Sequence, residues 1–287
     1  MIVRNATHSD LAAAAALMAP LVARGDLLPR TTDELIRLLP CAFLAELDGR
    51  PVGFAALEVY SRKLSEIQCL SFDQGPAKGE IVGHLADRCV DLARDHGVME
   101  VLAIVPPPLE EILMARGFHF ALPDQKKAMF VRPAAAVPPA GAVESQPPAG
   151  VRIRDAVPDD AAAVAAFLAP FVARKELLPR SLEELGHLLD HAFVAEFQGR
   201  IAGFAAVELY SPKLSEIQCL SVDENCRGRG IGRQLVRLCV DRARWHDVIE
   251  VMAITAREEV LRACGFDYGL PGPETALFIQ TRVRGEV

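Results

Sequence analysis

The 287-residue sequence lacks the patterns that mark metal-binding, disulfide-bonded and nucleic-acid-binding proteins. Its seven cysteines form no CxxC pair and no Cys/His spacing. The sequence therefore indicates neither a metal site nor a disulfide framework, and reduced thiols in a cytoplasmic protein are expected. The formal charge is −7. Because excess positive charge is the usual mark of nucleic-acid and anionic-membrane partners, neither partner is expected.

Long apolar runs are also missing. The alanine-rich stretch 11–23 follows Ser9 and Asp10 and closes at Arg24 and Asp26. It is therefore predicted to form an ordinary helix rather than a signal peptide or a membrane span. Apolar residues make up 51% of the chain and charged residues 24%, proportions typical of a soluble globular protein.

What the sequence does contain is an internal repeat. A shift of 150 residues aligns residues 4–104 with residues 154–254 without a gap, and "LSEIQCLS" occurs twice, beginning at Leu64 and at Leu214. Near the end the shift falls to 148, where "ARGF" in the first copy matches "ACGF" in the second. Two similar domains are predicted.

The predicted domains are residues 1–132 and 151–287, joined by a Pro/Ala-rich linker at 133–150 that offers no apolar periodicity. In the second copy, alternating and helical patterns predict the element order βααβββαβαβ, which implies an α/β fold with a mixed sheet. Ser181 followed three residues later by Glu184 predicts a helix start.

A glycine-rich loop, "CRGRGIG" at residues 226–232, is present only in the second copy. It follows a predicted strand and leads into an amphipathic helix, where unpaired backbone N–H groups and the helix dipole favour an anion. Its glycines allow close approach of the backbone and its arginines add charge, so a diphosphate is the expected ligand. The residues concerned are Arg227, Gly228, Arg229, Gly230, Gly232 and Arg233. The spacing matches neither a P-loop nor a dinucleotide-binding fingerprint.

The pattern Arg227-x-x-Gly230-x-Gly232 resembles the pyrophosphate-binding motif of the GNAT superfamily of acyl-CoA N-acyltransferases. The resemblance covers the whole second copy, including "ACGF". Within the superfamily, "LLPRSLEEL", "GRIAGFAAVELY" and "SEIQCLSV" resemble the acetyltransferase domain of N-acetylglutamate synthase. The resemblance implies an α/β (α+β) protein of two tandem GNAT-like domains, each a mixed, mostly antiparallel sheet flanked by helices. It also implies acetyl-CoA as co-substrate.

The resemblance further implies where acetyl-CoA is held. The pantetheine arm is expected between strand residues 217–222 and 251–255, and a backbone N–H near Leu220 is expected to face the thioester oxygen. The implied cofactor-binding residues are Leu220, Ser221, Val222, Arg227, Gly228, Arg229, Gly230, Ile231, Gly232, Arg233 and Thr255.

The first copy is predicted to have lost cofactor binding. At the three motif positions it holds Ala77, Glu80 and Val82. These changes remove a cation, add a carboxylate that would repel a diphosphate, and place a β-branched residue where a glycine could adopt positive φ. Prolines 106–108 also follow the strand that would face pantetheine. The first domain is left with three open roles: packing against the second, shaping the acceptor site, or sensing a ligand.

The acyl transfer needs a base to deprotonate the acceptor amine, and Glu216 is the first candidate. A purely structural Glu216 remains open, since Glu66 duplicates it in the first copy. Leu261 stands where many GNAT enzymes carry a tyrosine acid, so Tyr210, Tyr268 or Cys264 is considered as the acid, or no side chain at all.

The predicted acceptor is a small amine. Arg180 stands where N-acetylglutamate synthase-like domains hold a substrate carboxylate, which suggests an amino-acid-like acceptor, and Glu208 instead suits a cationic amine. A helix-capping or linker-facing Arg180 is the alternative. A CoA-binding sensor or pseudoenzyme and a non-catalytic interaction scaffold stay open as other functions. Intramolecular packing of the two domains is expected, and a homodimer is also compatible with the sequence.

Overall fold

The computed structural model describes residues 1–120, 127–133, 150–255, 258–268 and 275–281. The chain forms two compact units, Met1–Gln125 with Gly272–Val287, and Lys126–Pro271. Apart from its two ends, the linker predicted for 133–150 lies outside the described residues. In the described part of the chain, no helix has the length and apolar character needed to cross a bilayer.

Each unit is a six-stranded mixed sheet with helices on both faces. The first unit contains β1 (Ile2–Asn5), α1 (Leu11–Arg24), α2 (Thr32–Leu38), β2 (Ala42–Leu47), β3 (Arg50–Val59), β4 (Leu64–Phe72), α3 (Lys78–Asp95), β5 (Glu100–Val105), α4 (Pro107–Met114) and β12 (Thr275–Gln280). The second contains β6 (Lys127–Val131), β7 (Val151–Asp155), α5 (Ala161–Ala173), α6 (Leu182–Leu189), β8 (Ala192–Phe197), β9 (Arg200–Leu209), β10 (Leu214–Val222), α7 (Ile231–Trp245), β11 (Glu250–Thr255) and α8 (Glu259–Arg262). Along the second repeat the order is the one that the sequence predicts.

The two repeats exchange their final strands. The sheet orders are β1-β2-β3-β4-β5-β12 and β7-β8-β9-β10-β11-β6, so β6 closes the second unit's sheet and β12 closes the first's. Only β4/β5 and β10/β11 pair in parallel, and the other neighbours are antiparallel. The compact units therefore differ from the predicted domains 1–132 and 151–287, which assign each final strand to its own repeat.

Local sequence signals explain the elements that frame the site. Gln198 and Gly199 join β8 to β9 with φ of 52° and 73°, the left-handed pair that a two-residue hairpin turn requires. Ser181 accepts a hydrogen bond from the Glu184 N–H while Glu184 accepts from the Ser181 N–H, so the predicted helix start is confirmed. This cap fixes the chain directly after Arg180.

The two faces of the second sheet carry different cores. Ile217 of β10 packs with α7 residues such as Leu235, whereas Phe204 and Ala206 of β9 pack with α5 and α6. Because side chains alternate along a strand, Glu208, Glu216 and Gln218 lie on the α5/α6 face.

Candidate active site

The loop 226–232 turns from β10 into α7 through two left-handed glycines. Gly228 has φ of 75° and Gly230, the N-cap of α7, has φ of 82°. A Cβ built on either glycine would meet no atom within 4 Å, so these positions need glycine for conformation rather than for space. The N–H groups of the first turn of α7 follow directly, and helix geometry leaves them without an intrahelical carbonyl.

The arginines of the loop face solvent. Arg227, Arg229 and Arg233 are exposed. The Arg229 guanidinium lies 5.0 Å from the centre of the Phe197 ring, and Arg227 Nη2 lies 3.7 Å from a carboxylate oxygen of Glu224. Outward-facing cations beside an N–H-rich helix start fit the diphosphate of CoA.

The first unit has one more turn of helix at this place. Helix α3 begins at Lys78, whereas the residue equivalent to the start of α7 is Ile81. No residue from 75 to 80, all of which are described, has positive φ, and Glu80 lies exposed within the helix. The left-handed loop that presents N–H groups in the second unit is thus absent from the first.

One of the reasons expected for this loss is wrong. Gly232 lies inside α7 without positive φ, and its added Cβ would sit at an ordinary 3.6 Å from Val222, so Val82 is compatible with the same backbone. The prolines after β5 lie outside that strand, which contains six residues as β11 does, and their expected effect on pantetheine binding stays a prediction. Pro107 and Pro108 instead begin α4.

Strands β10 and β11 separate beside the loop. They pair from Leu214 to Ile217 and not beyond, and a bulge follows in which Cys219 has φ of 56°. The backbone of Leu220 and Val222 therefore lies past the last pair with β11, along the cleft that the sequence predicts for pantetheine. Ser221 Oγ is buried and forms no hydrogen bond with the described residues. Thr255 is the last residue of β11, which runs parallel to β10, so it lies at the same end of the sheet.

A polar network of Arg180, Tyr210, Glu216 and Gln218 occupies the α5/α6 face of the sheet. Arg180 Nη2 donates to Gln218 Oε1 at 2.8 Å, and Gln218 Nε2 donates to Tyr210 Oη at 2.9 Å and to Glu216 Oε2 at 2.8 Å. Tyr210 Oη donates to the same carboxylate oxygen at 2.6 Å. Glu216 is 1% exposed and Gln218 4%, whereas Arg180 and Tyr210 are half-buried.

The charges in this network favour a cationic arginine and a protonated tyrosine. Burial lowers the pKa of Arg180, but Cys219, Glu208, Tyr210 and Glu216 raise it, and the net pKa lies above the ordinary value. Burial, reinforced by the two glutamates, raises the pKa of Tyr210 well above 10. The protonated Tyr210 hydroxyl therefore donates to Glu216 and accepts from Gln218.

The structure brings Arg180, Glu208, Tyr210 and Glu216 to one sheet face, with Glu208 directly opposite Glu216 in the β9/β10 pairing. Sequence reasoning missed Gln218, which joins Arg180 to Glu216. Its spacing of two residues from Glu216 on one strand was the available signal.

The other two acid candidates belong to a different surface. Tyr268 Oη donates to Glu258, and the Arg262 guanidinium lies 4.4 Å from the centre of its ring. The Cys264 thiol donates to the Arg233 carbonyl at 3.6 Å, and burial raises its pKa to about 11. In the described ranges, His, Cys, Asp and Glu side chains do not group in threes as a metal ion would require.

Comparison with known proteins agrees with this geometry. The profile of the Acetyltransferase (GNAT) family matches residues 163–266. An uncharacterized N-acetyltransferase of Chlorobaculum tepidum is 31% identical over 120 residues, 42% of this chain and 77% of that protein. The amino-acid acetyltransferase of Neisseria meningitidis is 30% identical over 106 residues, which are 37% of this chain and 24% of that protein. The chain thus spans about a quarter of the length of this second relative.

A solved tandem GNAT protein from the clavulanic acid biosynthesis pathway has the same fold over the full length. It aligns over 98% of each chain with a TM-score of 0.56 and 18% identity. The left-handed loop, the separated parallel strands and these matches lead to one assignment. The chain belongs to the GNAT acetyltransferase family and is an N-acetyltransferase with two GNAT domains in tandem.

Proposed function

We propose that the second repeat transfers the acetyl group of acetyl-CoA directly to the amine of a small, amino-acid-like acceptor. The observation that carries this proposal is the polar network. In it, Gln218 joins the guanidinium of Arg180, a group suited to bind a carboxylate, to the buried carboxylate of Glu216. An amino-acid acceptor needs a cation for its carboxylate and a base for its amine, and both groups then lie on one sheet face.

The loop and the strand cleft hold the co-substrate. The N–H groups of residues 228–233 and the side chains of Arg227, Arg229 and Arg233 bind its diphosphate, and the backbone from Leu220 to Val222 together with Thr255 lines the pantetheine cleft. Acetyl-CoA supplies the activated acetyl thioester when bound. The N–H near Leu220 donates to the thioester oxygen, where preorganised donors contribute strongly to acyl transfer.

The polar network acts on the acceptor. Arg180 binds its carboxylate, and Glu208 and Glu216 attract its ammonium group. Glu216 accepts the proton that the ammonium group must lose before its nitrogen attacks the acetyl carbon, directly or through a water molecule. As the new C–N bond forms, the C–S bond breaks, and CoA leaves as a thiolate that takes up the proton released by the new amide nitrogen. Tyr210 stays protonated and, with Gln218, holds the Glu216 carboxylate in place, because both donate to the same oxygen.

A cationic amine without a carboxylate is the second candidate acceptor. The supporting observation is the charge count on this sheet face, where Glu208 and Glu216 outnumber Arg180. The likeness to the amino-acid acetyltransferase of Neisseria meningitidis supports the carboxylate-bearing acceptor instead.

An acetylation screen tests the proposal. The full chain is incubated with acetyl-CoA and a panel of amino acids, amines and aminoacyl compounds, and products are detected by mass spectrometry. We expect an N-acetylated amino acid. Acetylation of simple diamines in preference to amino acids would favour the cationic amine, and no product from any acceptor would favour a CoA-binding sensor or an interaction scaffold.

Variants of Arg180 then test the carboxylate contact. Arg180→Ala is expected to lower kcat/KM for an amino-acid acceptor roughly 10- to 1000-fold through loss of one or two charge-assisted bonds, with CoA affinity unchanged. Arg180→Lys keeps the charge but loses the planar fork, so an intermediate value is expected. Equal losses of CoA binding and of thermal stability in Arg180→Ala would assign Arg180 a structural role.

A further inference from the structure

The first unit repeats the polar network with three matching hydrogen bonds, although it lacks the diphosphate loop. Arg30 Nη2 donates to Gln68 Oε1 at 2.9 Å, Gln68 Nε2 donates to Tyr60 Oη at 2.9 Å, and Tyr60 Oη donates to Glu66 Oε2 at 2.6 Å. Each distance is within 0.1 Å of its counterpart in the second unit. The first-repeat network is defined as Arg30, Tyr60, Glu66 and Gln68.

The backbone around the first-repeat network is also kept. Cys69 has φ of 56°, the value found for Cys219, and β4 pairs with β5 only from Leu64 to Glu66 before the two strands separate. A non-glycine residue in this conformation is strained, and such strain persists where the surroundings hold it in place. The first unit therefore has the bulge and the separation of β4 from β5, although it lacks the left-handed loop.

The first-repeat network runs from a fully buried carboxylate to side chains that are only partly exposed. Glu66 is fully buried and Gln68 is 4% exposed, whereas the Arg30 side chain is 11% exposed and Tyr60 is half-buried. Burial lowers the pKa of Arg30, but Cys69, Glu58 and Glu34 raise it and the net shift is upward, so the guanidinium stays cationic. Buried ionic groups are expensive compared with apolar side chains of similar size, so a network that serves stability alone has a poor energetic rationale.

The neighbouring residues give the ligand its chemistry. Glu58 lies directly opposite Glu66 in the β3/β4 pairing. Leu102 lies opposite Glu66 in the β4/β5 pairing, and Phe278 lies opposite Leu102 in the β5/β12 pairing. One guanidinium, two carboxylates and an apolar floor on one sheet face suit a small molecule that carries a carboxylate, an ammonium group and a short apolar part.

We propose that the first repeat is a second, non-catalytic binding site for a small amino-acid-like ligand, held by Arg30 at its carboxylate and by Glu58, with the buried Glu66 behind it, at its ammonium group. This inference rests on the proposed function, because it takes the ligand class from the equivalent network of the second repeat. The extra turn of α3, with Glu80 on it, excludes the diphosphate of CoA, so the ligand binds here without an acyl donor.

Equilibrium dialysis of the full chain tests the inference. The probes are radiolabelled L-alanine, L-glutamate and L-lysine, which share the α-carboxylate and α-ammonium groups and differ in side-chain charge. We expect two sites per chain for at least one probe in the absence of acetyl-CoA. Arg30→Gln should remove one site, Arg180→Gln the other, and the double variant both, with affinity losses of about 10- to 1000-fold at each altered site.

Matched variants separate binding from folding. Arg50→Gln changes an arginine of the same repeat whose side chain is 72% exposed, and it should leave both sites intact. Arg30→Lys should weaken the first site less than Arg30→Gln does, and Tyr60→Phe gives a second probe of the site should Arg30→Gln fail to fold. Circular dichroism and hydrogen exchange in the first unit show that each variant is folded, since CoA binding reports on the second repeat alone.

The outcomes distinguish this inference from the proposed function. A single site that only Arg180→Gln removes would overturn the second-site inference and leave the proposed acceptor site standing. A single site that only Arg30→Gln removes would support the inference and contradict the role of Arg180. Absence of binding by all three probes would overturn the amino-acid ligand class for both repeats.

Discussion

Replacement of Gly230 by glutamate tests the division between the repeats most directly, because it places in the second repeat the residue that the first carries as Glu80. Gly230 has φ of 82°, and an added Cβ would meet no atom within 4 Å. The substitution therefore lowers the free energy of unfolding only by the cost of placing an L-residue in the left-handed region, about 1–2 kcal/mol. Since small domains are stable by about 5–15 kcal/mol, the variant is expected to fold.

The effect on binding is larger than the effect on folding. A carboxylate about 5 Å from one unit of negative charge costs roughly 0.8–3.3 kcal/mol for effective dielectric constants between 80 and 20. A diphosphate carries about two such charges, so repulsion alone costs about 2–6 kcal/mol, or roughly 30- to 20,000-fold in affinity. Because exposed charges are screened, the loss should shrink at high ionic strength.

Calorimetry with CoA measures the effect. Wild type is expected to bind one CoA per chain, Gly230→Ala to bind somewhat more weakly, and Gly230→Glu to bind at least about 30-fold more weakly than wild type. Gly49→Glu is the matched control, since Gly49 has φ of 73°, meets no atom within 4 Å of an added Cβ, and lies in the hairpin turn of the first repeat. Two sites in wild type, or equal CoA affinity in Gly230→Glu and Gly49→Glu, would refute the reasoning.

Three further predictions concern the base, the exchanged strands and an ion pair. Glu216→Gln should lower kcat roughly 100-fold or more and flatten the acidic limb of the pH profile. An unchanged kcat would show that another group removes the proton. Deletion of residues 272–287 removes β12, whose Leu277 and Phe278 are buried, and should destabilise the first unit by about 3–6 kcal/mol while CoA binding persists. Hydrogen exchange shows which unit loses amide protection, and loss of protection in the second unit would contradict the assignment of β12 to the first. The Arg154 guanidinium and the Val157 N–H donate to Asp160 and lower its pKa, so its stabilisation is complete above the unfolded pKa of about 3.9 and is lost as pH falls through the folded value. Asp160→Asn should therefore cost roughly 1–3 kcal/mol in thermal or urea unfolding at pH 7, with a smaller difference below about pH 4, and an equal difference at both pH values would contradict the ion pair.

Local signals predicted the elements because the physics that sets them is local. The hairpin turn at Gln198 and Gly199 follows from left-handed dihedrals, and the start of α6 follows from a reciprocal cap. The strand exchange has no such signal. The strands "KAMFV" and "TALFIQ" have similar apolar patterns, so either could pair with β5 or with β11, and only the tertiary arrangement decides between them.

The candidate site was predictable in its residues and less so in its connections. Period-two spacing places Glu216 and Gln218 on one face, but the contact between Gln218 and Arg180 joins positions 38 residues apart, which no local pattern encodes. The loss of the first loop was predicted for partly wrong reasons. The sequence predicts the loss from Ala77, Glu80, Val82 and the prolines. The argument from Val82 is wrong, because the structural difference is an additional helical turn across 78–80.

The position of that turn explains how one repeat can lose one half of a site and keep the other. The loop lies at the start of the helix that packs on one face of the sheet, and the polar network lies on the opposite face. The sheet between them keeps its register and its bulge in both repeats, since Cys69 and Cys219 share φ of 56°. A change of helix start at Lys78 therefore alters the diphosphate end without moving Arg30 or Gln68. If the two ends are independent in this way, the substitution Glu80→Gly should leave amino-acid binding at Arg30 undisturbed in equilibrium dialysis, and any change in that binding would show that the two faces are coupled.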